Sequence, residues 1–490
     1  MTGTLETAPG APGSSASRKP PLAAVLAAVG IPMFMVTLDN LVVTSALPVI
    51  KHDLGASLSD LQWFVNAYTL SFASLLLTAS ALGDRLGRRK LFLFGIALFT
   101  AASAACAMAS EPWMLILFRA IQGFGAAAVM PLSLTLLSAS VPEKMRSAAI
   151  GIWGGISGLG VALGPVIGGA VVDGLNWQWI FWINVPIGIL AVPFVARVLN
   201  ESFGGARRLD VIGLLLSAGG VLAVVWGVIH GADDGWGSAV VLSGLLGGAA
   251  LLVAFVVWER RVGAPMLPLH LFRSRGFSVI NTVLFTFSIG VFGSIFLLAQ
   301  YFQVVQGYSP LQSGIRTMPW TMAPMVVAPL AGLIVDKVGP RVLVATGQVL
   351  LAFALGWMAL IVTVDVSYGS FVLPFILGGI GMGLTFAPAS SVVMASASAQ
   401  DQGMASGANN TIREVGVAMG VAILASVFAS RGGYATPQSY VDGLQPAIYV
   451  GAAIVAVGAV ISLFLPGRKR PAAEITVTQR DSEPGLAPLH

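Results

Sequence analysis

The chain has 490 residues, 56% of them hydrophobic and only 10% charged, with a mean hydropathy of +0.86. Soluble domains carry about 25% charged residues, so soluble enzymes and soluble binding modules are excluded. The net charge of +5 does not point to nucleic acid, because the basic residues fall in short loops between apolar runs rather than on one face. Cys106 is the single cysteine and sits in an apolar run, and His52, His230, His270 and His490 are scattered. No disulfide framework, metal site or cofactor is expected.

Residues 1–20 are rich in Gly, Pro, Ser and Thr and read as a disordered tail. The run from Leu22 to Val43 is too long for a signal-peptide core and carries Asp39, so it reads as a first spanning helix. Thirteen further apolar runs follow, near 61–82, 91–109, 113–140, 147–172, 177–198, 210–230, 238–258, 277–303, 314–335, 341–363, 370–397, 405–430 and 445–465. Each is long enough to cross a bilayer. With the N-terminus inside, 21 of the 26 Lys and Arg fall in inner segments. Only Lys51 and Arg431 fall outside, while Arg119, Arg316 and Arg413 lie at or within spans. That asymmetry sets orientation and places both termini in the cytoplasm.

One loop recurs. Gly83-Asp84-Arg85-Leu86-Gly87-Arg88-Arg89-Lys90 joins spans 2 and 3, and Val335-Asp336-Lys337-Val338-Gly339-Pro340-Arg341 joins spans 10 and 11. Both read D-[RK]-x-G-x-R, with Gly87 and Gly339 at a tight turn. If the loop after a unit's second helix recurs after span 10, the second unit begins at span 9. The chain therefore divides into a tail (1–20), a six-helix bundle (21–200), an inserted helix pair (201–258) and a cytoplasmic linker with Pro265 and Pro268 (259–276). A second six-helix bundle (277–466) and a disordered tail (467–490) complete it.

Charges inside spans carry the chemistry. An unpaired carboxylate in lipid costs several kcal/mol, so Asp39 should face a cavity, pair with a base or take up a proton. Arg119 stays charged anywhere and needs a carboxylate, carbonyls or water. Gln122, one turn on, shares its face. Arg413 and Glu414 lie near the start of span 13; adjacent residues point about 100° apart, so they need not pair with each other. Glu414 reads either as a second titrating group or as a headgroup-zone acid. Trp63, Tyr68, Trp153, Phe285, Tyr301 and Gln303 are cavity-lining candidates, with packing the alternative for each. In span 5, Gly160/Gly164 and Gly164/Gly168 form a smooth stripe for close helix approach, and Pro165 bends the helix.

The span-5 run Gly151, Gly160, Gly164-Pro165, Gly168-Gly169 resembles the G-x8-G-x3-GP-xx-GG motif of antiporters in the major facilitator superfamily, at all six positions. Leu38-Asp39…Leu47-Pro48 resembles that family's first-helix motif, departing at Asn40-Leu41 and Thr44-Ser45. Arg119-Ala120-Ile121-Gln122-Gly123 resembles its R-xx-Q-G motif, whose arginine is thought to assist proton transfer. The Asp84 loop resembles its GxLxDRxGRR loop, with Ser80 for the leading Gly; the resemblance implies a gating role in which Asp84 caps a helix or pairs with a base across the bundles. Trp177-Gln178-Trp179-Ile180-Phe181-Trp182-Ile183-Asn184-Val185-Pro186 resembles WRWIFxINxP, with Gln178 for Arg. Glu414 stands where the family usually has Gln.

The 6+2+6 count is similar to the family's fourteen-helix drug:proton antiporters. The resemblance implies an all-α major facilitator fold and proton-coupled export of lipophilic drugs across a bacterial cytoplasmic membrane. The partners implied are a lipophilic small molecule, protons and lipid, for a chain acting as a monomer without cofactor or metal. The alternative is a dedicated exporter of one metabolite, such as a self-made antibiotic. Asp39 would alternate between protonated and neutral or substrate-bound states under the influence of Arg119. The Gly160–Gly169 stripe and the Asp84 and Asp336 loops, with Arg85, Arg88 and Arg341, would shape the rocking interface. A membrane enzyme or sensor would need a His, Cys or carboxylate cluster, and the sequence offers none.

Overall fold

The computed structural model describes residues 21–204, 210–231, 234–263, 265, 267, 269–397 and 402–467. The two tails expected to be disordered, apart from Gly467, together with Pro268, Arg207 and Arg208, lie outside the described residues. Fourteen helices among those described are long and apolar enough to cross a membrane.

The first bundle contains α1 (Leu22–Leu54), α2 (Leu58–Leu86), α3 (Arg88–Ala107), α4 (Pro112–Ser140), α5 (Glu143–Gly174) and the sixth span. Expected as one helix over 177–198, that span is instead a single turn, α6 (Trp179–Trp182), followed by α7 (Asn184–Val198). The inserted pair is α8 (Val211–His230) and α9 (Ala239–Glu259). A 3-10 turn (Leu269–Arg273) leads into the second bundle: α10 (Arg275–Val304), α11 (Pro310–Val338), α12 (Pro340–Ile361), α13 (Gly369–Ala395), α14 (Gln402–Arg431) and α15 (Pro437–Ser462). The last helix starts eight residues earlier than its apolar run. The polar first turns stay helical because Tyr440 and Leu444 are buried and the Tyr440 ring packs on Phe428.

Helix ends follow local chemistry. Ser57 with Asp60, and Ser309 with Gln312, form capping boxes at corresponding second helices of the two bundles. The D-[RK]-x-G-x-R repeat is a repeat of backbone as well: Gly87 has φ 109° and Gly339 φ 93°, a region that a side chain would make costly. Each glycine ends one span and opens the next.

Within the first bundle α4 packs on α2 and α3, and α5 on α1; within the second, α13 packs on α11 and α12, and α10 on α14 and α15. Two seams join the bundles, α5 against α11 and α2 against α14. The inserted pair sits at the second seam. Its α8 touches both α2 and α14, through Val225, Val228 and Ile229 against Leu70, Ala418 and Ala422.

Candidate functional site

A cavity of about 2160 Å³ lies between the bundles, lined by α1, α2, α4 and α5 on one side, by α10, α11, α13 and α14 on the other, and also by Asp210, Val211, Ile212 and Trp258 of the inserted pair. It reaches the Asp84 end of the molecule, where Asp84, Arg88, Met394 and Met404 line its mouth. At the opposite end the α5–α11 seam is shut. A Cβ on Gly169 would strike the Pro310 carbonyl, and one on Gly314 would strike the carbonyl of Pro165, so these glycines allow backbone contact across the bundles. Ser309 Oγ donates to Asp173 (2.7 Å), Gln303 Nε2 to the Ser45 carbonyl (2.8 Å) and Thr321 Oγ1 to the Ala162 carbonyl (3.3 Å), all from one bundle to the other.

The span-5 motif therefore does two jobs. Gly160, Gly164 and Gly168 face α1, where a Cβ would meet Thr37, Leu41 and Val42; Gly169 faces α11. Gly151 lines the open part of the cavity with nothing within 4 Å of its Cβ position.

Asp39 and Arg119 meet in the interior of the first bundle. Arg119 Nη1 donates to Asp39 Oδ2 at 2.6 Å, and each side chain is only 1% exposed. Gln122 Nε2 (3.0 Å) and Asn184 Nδ2 (2.8 Å) both donate to Asp39 Oδ1. Arg119 also donates from Nη1 to Gln122 Oε1 (2.6 Å) and from Nε to the Phe64 carbonyl (3.0 Å). Ser103 Oγ accepts from Gln122 Nε2 at 2.8 Å and closes the network on α3. Buried charges are tolerable only when paired and hydrogen-bonded, and here five helices supply the partners.

Neither Asp39, Arg119 nor Gln122 lines the cavity. Tyr68 stands between: its ring lies 4.3 Å from the Arg119 guanidinium, the residue also lines the cavity, and its hydroxyl donates to the Val36 carbonyl (3.4 Å). The acid–base pair is thus sealed behind one aromatic ring.

The second charge pair is different. Arg413 Nη2 donates to Glu414 Oε1 at 2.9 Å, with 24% of the arginine side chain and 7% of the glutamate exposed, and both line the cavity. Helix geometry does not require these neighbours to pair, and here they do. The long guanidinium arm folds back across the 100° between them. Asn410 and Asn409 line the same wall, and Asn409 Nδ2 donates to Asn281 Oδ1 (2.9 Å).

At the Asp84 loop, Arg88 Nε donates to Asp84 Oδ1 (2.8 Å) one turn away, so Asp84 pairs within its own bundle rather than across the bundles. The helix cap expected of Asp84 comes from Glu201, which accepts from the backbone N–H of Arg89 (2.8 Å) and Lys90 (3.2 Å) at the start of α3. Arg85 is exposed beside them, and Asp336 and Arg341 of the second copy are exposed with no side-chain bond among the described residues. Of the aromatic and amide candidates, Tyr68, Trp153 and Gln303 line the cavity. Trp63 instead packs with the inserted pair, Phe285 packs in the large core cluster, and the buried Tyr301 donates its hydroxyl to the Thr363 carbonyl (2.6 Å).

Asn184, Ser103 and Glu201 bond within these networks and were not singled out as site residues by sequence reasoning. A signal existed for Asn184, a lone amide in an otherwise apolar turn beside Trp182. Among the described residues no group of three His, Cys, Asp or Glu could hold a metal.

Two helical bundles around a cavity open at one end define a membrane transporter of small molecules rather than an enzyme. The model of the Major Facilitator Superfamily matches residues 29–421, and the chain belongs to that family. It is 34% identical over 425 residues to the tetracenomycin C resistance and export protein of Streptomyces glaucescens, covering 86% of this chain and 79% of that one. It is 38% identical over 408 residues to the multidrug resistance protein Stp of Mycobacterium tuberculosis, covering 83% and 75%. Among solved structures, a bacterial homolog of the human lysosomal transporter Spinster, inward-facing and unoccupied, shares the fold with a TM-score of 0.66 at 17% identity, covering 94% of this chain and all of that one.

Proposed function

We propose that this chain exports lipophilic small molecules across a bacterial cytoplasmic membrane in exchange for protons, with Asp39 as the coupling acid. The observation that carries the reading is the sealed Asp39–Arg119–Gln122–Asn184 network beside, but not in, the cavity. A carboxylate that holds a guanidinium at 2.6 Å cannot keep that ion pair once protonated. Proton uptake therefore frees Arg119, which then leans on the Tyr68 ring and the Phe64 carbonyl. Tyr68 borders the cavity, so the change at Asp39 reaches the substrate space by way of that ring. The coupling acid and the substrate need not touch.

Lipophilic cargo fits the wall. Tyr68, Trp153, Phe292, Trp320, Phe386 and several methionines line it, and its deepest charges are the Arg413–Glu414 pair. Glu414 suits a cationic group on the cargo and is the second candidate for titration. Arg413, released from that pair by such a cargo, stays solvated in the cavity. The distribution of Lys and Arg puts both termini, the Asp84 loop and the 259–276 linker in the cytoplasm, so this state opens inward. The bundles run over 21–200 and 277–466, flanking the 201–258 insert, and the chain acts as a monomer.

One relative is a tetracenomycin C resistance and export protein, which favours a second reading: export of a single self-made antibiotic. Fluorescent-cation efflux from cells, with and without a protonophore, separates these. Protonophore-sensitive efflux of several unrelated dyes supports the multidrug reading. Efflux of none from correctly inserted protein supports the single-product reading, and efflux indifferent to protonophore removes proton coupling.

A further inference from the structure

The closed end of the cavity is built differently from the rest of its wall. Ser45 of α1 donates from Oγ to the Pro165 carbonyl (3.3 Å) and accepts at its own carbonyl from Gln303 Nε2 (2.8 Å). A Cβ on Gly314 would strike that same Pro165 carbonyl, so α1, α5, α10 and α11 meet in one plug. The ionisable residues that line the cavity are Asp84, Arg88, Asp210, His270, Arg413 and Glu414. None of them belongs to the four helices of the plug.

A stripe of α11 runs from the plug along the cavity. Ser313, Thr317 and Trp320 line it, at the spacing of four and three that puts side chains on one helix face. Thr317 Oγ1 is spent on the Gly314 carbonyl (2.8 Å). The other two keep donors that nothing accepts. Trp320 is 4% exposed and Ser313 3% exposed, and neither Trp320 Nε1 nor Ser313 Oγ makes a hydrogen bond among the described residues. The indole is held firmly. Its Cε3–Cζ3 edge abuts α13 at Gly378, where a Cβ would strike it, and Phe375 packs edge-on with centroids 6.0 Å apart. The N–H lies on the opposite edge of the indole, turned away from α13. A buried donor without an acceptor costs free energy that a placed acceptor restores.

We infer that this closed end is a subsite for a neutral, planar aromatic system carrying a carbonyl or quinone oxygen, with Trp320 as its specificity-determining donor. The inference deepens the export reading above and rests on it. The rings lie against Trp320 and Phe375, and the oxygen accepts from Trp320 Nε1. Ser313 stands two turns along α11, about 10 Å at 1.5 Å per residue, so a second oxygen at the far end of a fused ring system reaches it. A cation finds no counter-charge at this end. One cargo molecule therefore presents its uncharged aryl-ketone end to the plug and any cationic end to Glu414. A site built around such a donor rejects the analogue that lacks the acceptor.

The full chain purified in detergent tests this with fluorenone and fluorene, planar molecules of nearly one shape, of which only the first carries a carbonyl. Equilibrium dialysis should show fluorenone bound about tenfold more tightly than fluorene. Trp320→Phe keeps a ring against Phe375 and Gly378 but loses the N–H. It should bring fluorenone down to the level of fluorene and leave fluorene binding unchanged. The carbonyl stretch of fluorenone should fall in wavenumber on binding to the wild type and not on binding to Trp320→Phe. Equal affinities in the wild type, binding of neither, or a tenfold ratio kept by Trp320→Phe overturns the subsite. If the variant binds neither molecule, the wild-type ratio and carbonyl shift decide alone, and absence of either overturns the subsite. Neither measurement uses a proton gradient, so a failure of proton coupling leaves the subsite standing, while equal binding of the two aromatics removes it and leaves export intact.

Discussion

The two charge pairs of this protein occupy opposite sides of one cavity and live in opposite surroundings. Asp39–Arg119 is 1% exposed on both sides and held by three further side chains and a carbonyl, whereas Arg413–Glu414 is partly solvated and held by little more than its own contact. On the proposed export reading, the first bundle keeps a pre-organised site for a proton and the second offers a yielding site for cargo. On that reading, separation of the two would let many cargo shapes share one coupling reaction, because the coupling acid would not have to recognise any of them.

Removing one partner from each pair should break the comparison most sharply. Arg119→Met leaves a buried carboxylate without its cation, a loss of about 3–5 kcal/mol, read as a collapse of thermal stability in detergent and of efflux. Arg413→Met at the partly exposed pair should cost about 1 kcal/mol or less and alter which dyes are exported. Equal losses in the two variants would contradict the contrast.

Gly164→Leu should come next in size. Its Cβ would sit 2.8 Å from Leu41 Cβ, so α5 must move off α1 and drag the Asp39 helix with it. Overpacking of this kind costs about 1–3 kcal/mol. Turnover should fall with topology unchanged, as read by cysteine accessibility in the 83–90 and 230–237 loops. Unchanged turnover would return the stripe to ordinary packing.

The smallest effect is expected of Glu414→Gln. It keeps the shape and the packing of α14, so folding and the export of neutral dyes should stay near wild type while export of cationic dyes weakens several-fold, about 1 kcal/mol in binding. Loss of all proton-driven transport in this variant would move coupling to the cavity wall.

Much of this was legible in the sequence, and the failures have physical reasons. Fourteen apolar runs and the D-[RK]-x-G-x-R repeat define the architecture because lipid leaves a chain few alternatives. Asp39 and Arg119 stood out because charge in a span is costly. Their mutual pairing did not, since it joins helices 80 residues apart. Asn184 was overlooked because an amide among tryptophans reads as an interface anchor. Glu201 lies in a loop, and only folding brings it to the start of α3. Trp63 was left between cavity and packing, because an inserted helix pair leaves no sign in the sequence of which seam it will cover.

The most direct test of the account is proton release by the purified protein in detergent when tetraphenylphosphonium is added at neutral pH, followed with a pH indicator. The account predicts release by the wild type, from molecules in which Asp39 has taken up a proton and let go of Arg119, and none by Asp39→Asn, which keeps the shape of the side chain but cannot titrate, with release retained by Glu414→Gln. Undiminished release by Asp39→Asn, together with its loss in Glu414→Gln, would contradict the assignment of coupling to the sealed pair.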